Sequence, residues 1–132
     1  MVRYTLPMRI RISWSGGDVS AALKPTPTAE LLWDALPFSG TAATWGDEVY
    51  FPIPVEADPE PGAAEVVEPG AVCYWLAGSA LALPFGPTPV SADGECRLAS
   101  AANVMGALDG DPRVLESVRA GERVRVERAE ED

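Results

Sequence analysis

Histidine is absent from all 132 residues, and lysine occurs once, as Lys24. Without an imidazole no Cys-His pair can form, so thiol catalysis of the usual kind is excluded. Neither Ser15-Gly16-Gly17 nor Ser39-Gly40 has the lysine or the helix context of a phosphate-binding loop, and both read as turns. Cysteine is scarce too: Cys73 and Cys96 stand too far apart for a zinc motif, and nothing else in the chain calls for a metal or a cofactor. Positive charge is outnumbered, with 10 basic against 20 acidic residues and a net charge of −10. That balance disfavours nucleic acid and anionic membrane surfaces as partners, because both require Lys and Arg to neutralise phosphate.

Long apolar runs are also lacking. The opening MVRYTLPMRIRISW alternates charged and apolar residues, unlike a secretory signal. The most apolar stretch, AVCYWLAGSALALPF, is too short for a membrane helix and is interrupted by Gly78, Ser79 and Pro84. The expectation is a soluble, cytoplasmic chain whose two cysteines are free thiols. The other nine basic residues are all arginine. Acidic excess with one lysine fits a halophile's cytoplasm, and equally a GC-rich genome.

What is present fits one globular domain, residues 1–132, with 129–132 as a frayed tail. The hydrophobic fraction of 47% excludes a disordered chain, and 13 prolines and 12 glycines imply many short elements. MRIRISW (8–14) alternates strictly and predicts a half-buried strand, returned after a Gly-Gly turn by VSAALK (19–24). Thr26-Pro27 predicts a helix start, and Ala29, Leu32, Trp33 and Leu36 form one apolar stripe that suits a plug in the open end of a barrel. TAATW and EVYFPIPV read as strands around a Gly46-Asp47 turn, followed by a Pro/Glu/Ala-rich loop over 57–69. Two strands flank Ala77-Gly78-Ser79, and each is apolar enough to be buried on both faces. A strand over 99–108, a short helix capped by Asp111-Pro112 and a final alternating strand RVRVERA complete the reading. Strands outnumber helices without alternating with them, so a parallel sheet is disfavoured and a mainly β, mostly antiparallel closed barrel is expected.

WGDEVYFPIPV, GAVCYWLAGSALALPFGPTPVS and NVMGAL, in that order and spacing, resemble the small prokaryotic cyclophilin-like proteins. The resemblance runs from Met8 to about Arg128, and its most specific pieces are Trp45 to Phe51 and Phe85 to Pro89. It implies a closed β-barrel of about eight strands with two short helices and a concave face comparable to a peptide cleft. It also raises prolyl isomerisation, which must lower a barrier of about 18–20 kcal/mol. In cyclophilins an arginine on the strand after the first helix donates the hydrogen bond that weakens the imide. The matching segment here, Gly40 to Trp45, contains no arginine, and nothing in the sequence brings Arg97 there.

Six aromatics, Trp45, Tyr50, Phe51, Tyr74, Trp75 and Phe85, can either line a cleft or fill the core. Alternation sends Tyr50 and Phe51 to opposite faces, so at most one of them faces a cleft. Asp47 and Glu48 likewise point apart, which makes them a poor acid-base or cation-binding pair. Asp47 is accounted for by the turn, whereas Glu48 opens an apolar strand. Gly86-Pro87-Thr88-Pro89 is a rigid loop with a hydroxyl to offer. Asn103, amid apolar neighbours, is expected to bond to backbone.

The ligand-binding candidates are therefore Trp45, Glu48, Tyr50, Tyr74, Phe85, Pro87 and Thr88, placed between the WGDE turn and the FGPTP loop. The expected function is a cyclophilin-like binding module for a small molecule or an extended peptide. The alternative is an enzyme, either a divergent prolyl isomerase or one using a cleft carboxylate, Glu48 or Asp93, with an arginine. No catalytic residue is assigned, and a homodimer stays open.

Overall fold

The computed structural model describes residues 8–129; of the tail expected at 129–132, Ala129 is held by its N–H, which donates to Arg9 O at 2.8 Å, and 130–132 lie outside the described residues. Alternation builds the first hairpin. In β1 (Met8–Trp14) the even-numbered residues Met8, Ile10, Ile12 and Trp14 are buried. β2 (Gly17–Leu23) returns antiparallel with Gly17 opposite Trp14, so Ser15 and Gly16 alone make the turn. The helix follows as α1 (Pro27–Ala35), with Thr26 Oγ1 accepting from the Ala29 N–H at 3.1 Å. Ala29, Leu32 and Leu36 join the core. Trp33 sits at the edge of the stripe and is only partly buried, with the Arg128 guanidinium 4.5 Å above its ring.

The remaining strands are β3 (Phe38–Thr41), β4 (Ala43–Thr44), β5 (Glu48–Pro52), β6 (Ala64–Val66), β7 (Ala71–Trp75), β8 (Ala80–Pro84), β9 (Arg97–Leu108) and β10 (Arg123–Arg128). A one-turn 3₁₀ helix covers Leu76–Gly78 and a two-turn one covers Pro112–Ser117. The second is the expected short helix, wound as 3₁₀ and ending at Ser117, and Asp111 caps it by accepting from the Arg113 N–H at 2.9 Å. β6 falls inside the segment read as loop. It is three residues of Ala-Glu-Val paired to β9 across a register shift, too short and polar to announce itself.

The strands form one ten-stranded antiparallel sheet in the order β3-β10-β1-β2-β9-β7-β8-β5-β4, with β6 on β9. The expectation of a closed barrel of about eight strands is thus corrected in both respects. β9, twelve residues long, is shared by β2, β6 and β7, which adds strands. Closure fails between β3 and β4, the two ends of the order, although only Ala42 separates them in sequence. Ala42 sends its N–H to Glu122 O at 2.9 Å and accepts from Gly121 N at 2.8 Å, so neither group is left to join the ends. The gap is filled by a side chain: a Cβ on Gly40 of β3 would lie 2.5 Å from Phe51 Cδ2 of β5.

The inner face collects Ile10, Ile12, Leu32, Phe51, Leu83 and Met105 into the main core. A second cluster, including Cys73, Ala82, Leu98 and Ala102, covers the other face of β7, β8 and β9. Double burial is why AVCYW and ALALP are continuously apolar.

Candidate functional site

Period-two geometry on β5 separates its residues. Val49 and Phe51 enter the main core, whereas Tyr50 packs against the second cluster on the opposite face and Glu48 shares its parity. On that face Trp45, Glu48, Tyr50, Trp75 and Ala99 line a pocket of about 190 Å³. Trp45 comes from the β4–β5 turn, where Gly46 takes φ +59° and the Trp45 N–H donates to Glu48 O at 3.0 Å. Trp75 comes from the end of β7, and its Nε1–H donates to Ser100 Oγ at 2.8 Å. Tyr50 and Trp75 meet edge to face, with centroids 6.0 Å apart and planes at 74°.

Glu48 is 5% exposed, and its Oε1 is buried with no hydrogen-bond partner among the described residues. Burial pushes its carboxyl up to about 7. The neighbouring thiols respond to the same environment. Cys73 is pushed up to about 12 by burial first and then by the charges of Glu48 and Cys96, and Cys96 is raised by burial above all. Both are buried free thiols, as expected, and both belong to the second cluster.

The six aromatics split evenly between the two roles open to them. Trp45, Tyr50 and Trp75 line the pocket, whereas Phe51, Tyr74 and Phe85 belong to the main core. Tyr74 is held there by its hydroxyl, which donates to Val55 O at 2.8 Å and accepts from Ala57 N at 3.3 Å. Phe85 carries the Arg113 guanidinium 5.6 Å from its centroid and borders a second concavity of about 300 Å³, shared with Glu48, Glu116 and Val118. Asp47 pairs with Arg113 at 3.1 Å and, with Glu48, borders that second concavity.

The WGDE turn and the FGPTP loop lie directly against each other. The Asp47 N–H donates to Pro87 O at 2.9 Å, the Phe85 N–H donates to Asp47 O at 2.8 Å, and a Cβ on Gly46 would lie 2.9 Å from Thr88 Cα. Thr88 is buried, its hydroxyl donating to Arg97 O and its N–H to Ser91 Oγ at 2.9 Å. Tyr74, Pro87 and Thr88 line neither concavity. Arg97 turns to Glu95, at 3.0 Å from both Nε and Nη2, and to Glu65 at 3.3 Å. Asp93 is exposed. Among the described residues no three His, Cys, Asp or Glu side chains gather as a metal site, and no helix is long and apolar enough to cross a membrane.

Sequence reasoning weighed Trp75 without selecting it and missed Ala99. Alternation in AVCYW puts Tyr74 and Trp75 on opposite faces, but only the stacking of strands says which face holds a pocket.

The sequence model of the family described as cyclophilin-like matches residues 8–127. The chain is also similar to a hypothetical protein from Archaeoglobus fulgidus whose solution structure is known. Sequence identity is 41% over 98% of this chain and 100% of that one, with a TM-score of 0.82. No curated protein matches the chain.

Proposed function

The chain belongs to the cyclophilin-like family, and from that premise we propose that it is a binding module for a small molecule, held in the pocket of Trp45, Glu48, Tyr50, Trp75 and Ala99. The observation that carries this reading is the unpaired, buried Glu48 carboxylate among aromatic side chains. Small-molecule sites combine apolar walls with a few fixed polar groups, and this arrangement has both. A pocket of about 190 Å³ favours a compact ligand over an extended peptide. The absence of arginine from Gly40 to Trp45 speaks against prolyl isomerisation.

The rival reading is an enzyme that uses Glu48 as a general acid or base. A carboxyl poised near 7 supports it, because proton transfer is most efficient near the operating pH. Against it stands the lack of a partner among the described residues: the thiols of Cys73 and Cys96, which feel the charge of Glu48, stay protonated at neutral pH.

A fragment screen followed by intrinsic tryptophan fluorescence tests the binding reading. Saturable binding should be lost in Tyr50→Ala and Trp75→Leu and kept in Val90→Ala, a change at an exposed position outside the pocket lining. Fragments that bind equally well to all three variants would place the site elsewhere. A proline-peptide isomerisation assay should run at the uncatalysed rate of tens to hundreds of seconds. Acceleration abolished by Trp75→Leu would favour the enzyme.

A further inference from the structure

We propose that the ligand of this pocket is a small protonated amine, whose N–H donates to the Glu48 carboxylate while its alkyl groups lie against Trp45, Tyr50 and Trp75. The inference rests on the binding reading above and names the chemistry that the site selects.

An ionised carboxylate accepts hydrogen bonds and donates none, and one buried without a partner is costly. A ligand that brings both a positive charge and an N–H removes that cost. Among the described residues the protein supplies no such group of its own at this place. Arg97 is engaged by Glu95 and Glu65, Arg113 by Asp47 and Glu116, and Lys24 borders a different groove. The walls select for the same class. Aromatic faces carry negative potential and attract cations. Tyr50 and Trp75, set at 74°, present adjoining walls instead of a closed stack. Water-loving ammonium is a poor match to such walls, whereas an alkylated nitrogen buries its methyl groups there.

Other ligand classes fit less well. Anions are repelled by Glu48 and by the net charge of −10, which at the same time raises the local concentration of cations. Hard metal ions seek six or more oxygen ligands, and one carboxylate does not provide them.

Titration at pH 8 and constant ionic strength decides the matter, with trimethylammonium, tetramethylammonium and tert-butanol as probes and tryptophan fluorescence as the readout. Trimethylammonium should saturate. Tetramethylammonium, which has no N–H, and tert-butanol, which has no charge, should each bind about tenfold or more weakly, the loss expected for one charge-assisted hydrogen bond. Glu48→Gln should weaken trimethylammonium by about the same factor, and so should lowering the pH below 6. Equal binding of tert-butanol, or no effect of Glu48→Gln, would overturn the cation assignment while leaving a binding pocket. Fragments that bind while trimethylammonium fails at molar concentration would do the same. Failure of every probe and every fragment would overturn both readings.

Discussion

Gly78 packs against the six-membered ring of the Trp75 indole, so closely that a Cβ there would come within 2.4 Å of the ring carbons Cε3 and Cζ3. The absence of a side chain at Gly78 leaves room for this pocket wall, and the Nε1–H bond to Ser100 holds the other end of the indole. Gly78→Ala should displace the ring and destabilise the fold by about 1–3 kcal/mol, the usual cost of overpacking. The Trp75 indole N–H resonance should move as its bond to Ser100 is lost. Gly62→Ala, with nothing within 4 Å of the new methyl, is the control and should change neither. An unmoved resonance in Gly78→Ala would show that the ring does not rest on Gly78.

Glu48 should make stability fall as pH rises. Its carboxyl titrates near 7 in the fold against 4.5 ordinarily, so the folded state holds the proton over that interval and the unfolded state does not. Stability from this group is fully present below about 4.5 and is lost as pH rises through about 7. Glu48→Gln should be more stable than the parent at pH 8, by on the order of 2–3 kcal/mol, and lose that advantage near pH 4.5. Thermal unfolding of both proteins across this range measures it. A difference that is independent of pH would mean that the carboxyl is not desolvated.

Asn103, 1% exposed on β9, ties three segments together. Its Nδ2 donates to Thr28 Oγ1 and to Asp58 O, and its Oδ1 accepts from the Glu60 N–H, all at 2.9 Å. Asn103→Ala leaves the Asp58 carbonyl and the Glu60 N–H unpaired, while Thr28 Oγ1 keeps its bond to Glu60, and should cost about 2–4 kcal/mol in urea unfolding. Protease cleavage between residues 57 and 62 should speed up. A neutral result would mean that water replaces the amide without penalty.

Leu32 and Trp33 are neighbours on α1 with different burdens. Leu32 is fully buried, so Leu32→Ala should cost about 2–5 kcal/mol. Trp33 is partly exposed under Arg128, whose Nη2 donates to its carbonyl at 3.0 Å. Trp33→Ala should cost less than Leu32→Ala, with about 0.5–1 kcal/mol of its effect reproduced by Arg128→Ala. Chemical denaturation of the three variants gives the order, and a reversed order would return Trp33 to the core.

Much of this was legible locally. The alternation of MRIRISW and RVRVERA, the Thr26 cap, the Gly46 turn and the double burial of AVCYW and ALALP are contacts between near neighbours or plain consequences of composition. The inward Asn103 and its backbone partners followed from a polar residue in an apolar strand. β6 was not legible, because a three-residue strand with a bulge owes its existence to β9 and not to its own pattern.

Period two in the sequence determined that Tyr50 and Phe51, and likewise Tyr74 and Trp75, face opposite ways. It could not say which member of each pair faces the main core, because swapping the two faces leaves the pattern unchanged. Tertiary structure broke that symmetry by laying α1 and the large aliphatic residues of β1 over one face and only a small cluster over the other. Phe51 and Tyr74 were drawn into the larger core, and Tyr50 and Trp75 were left beside Glu48, where the smaller layer does not fill the space.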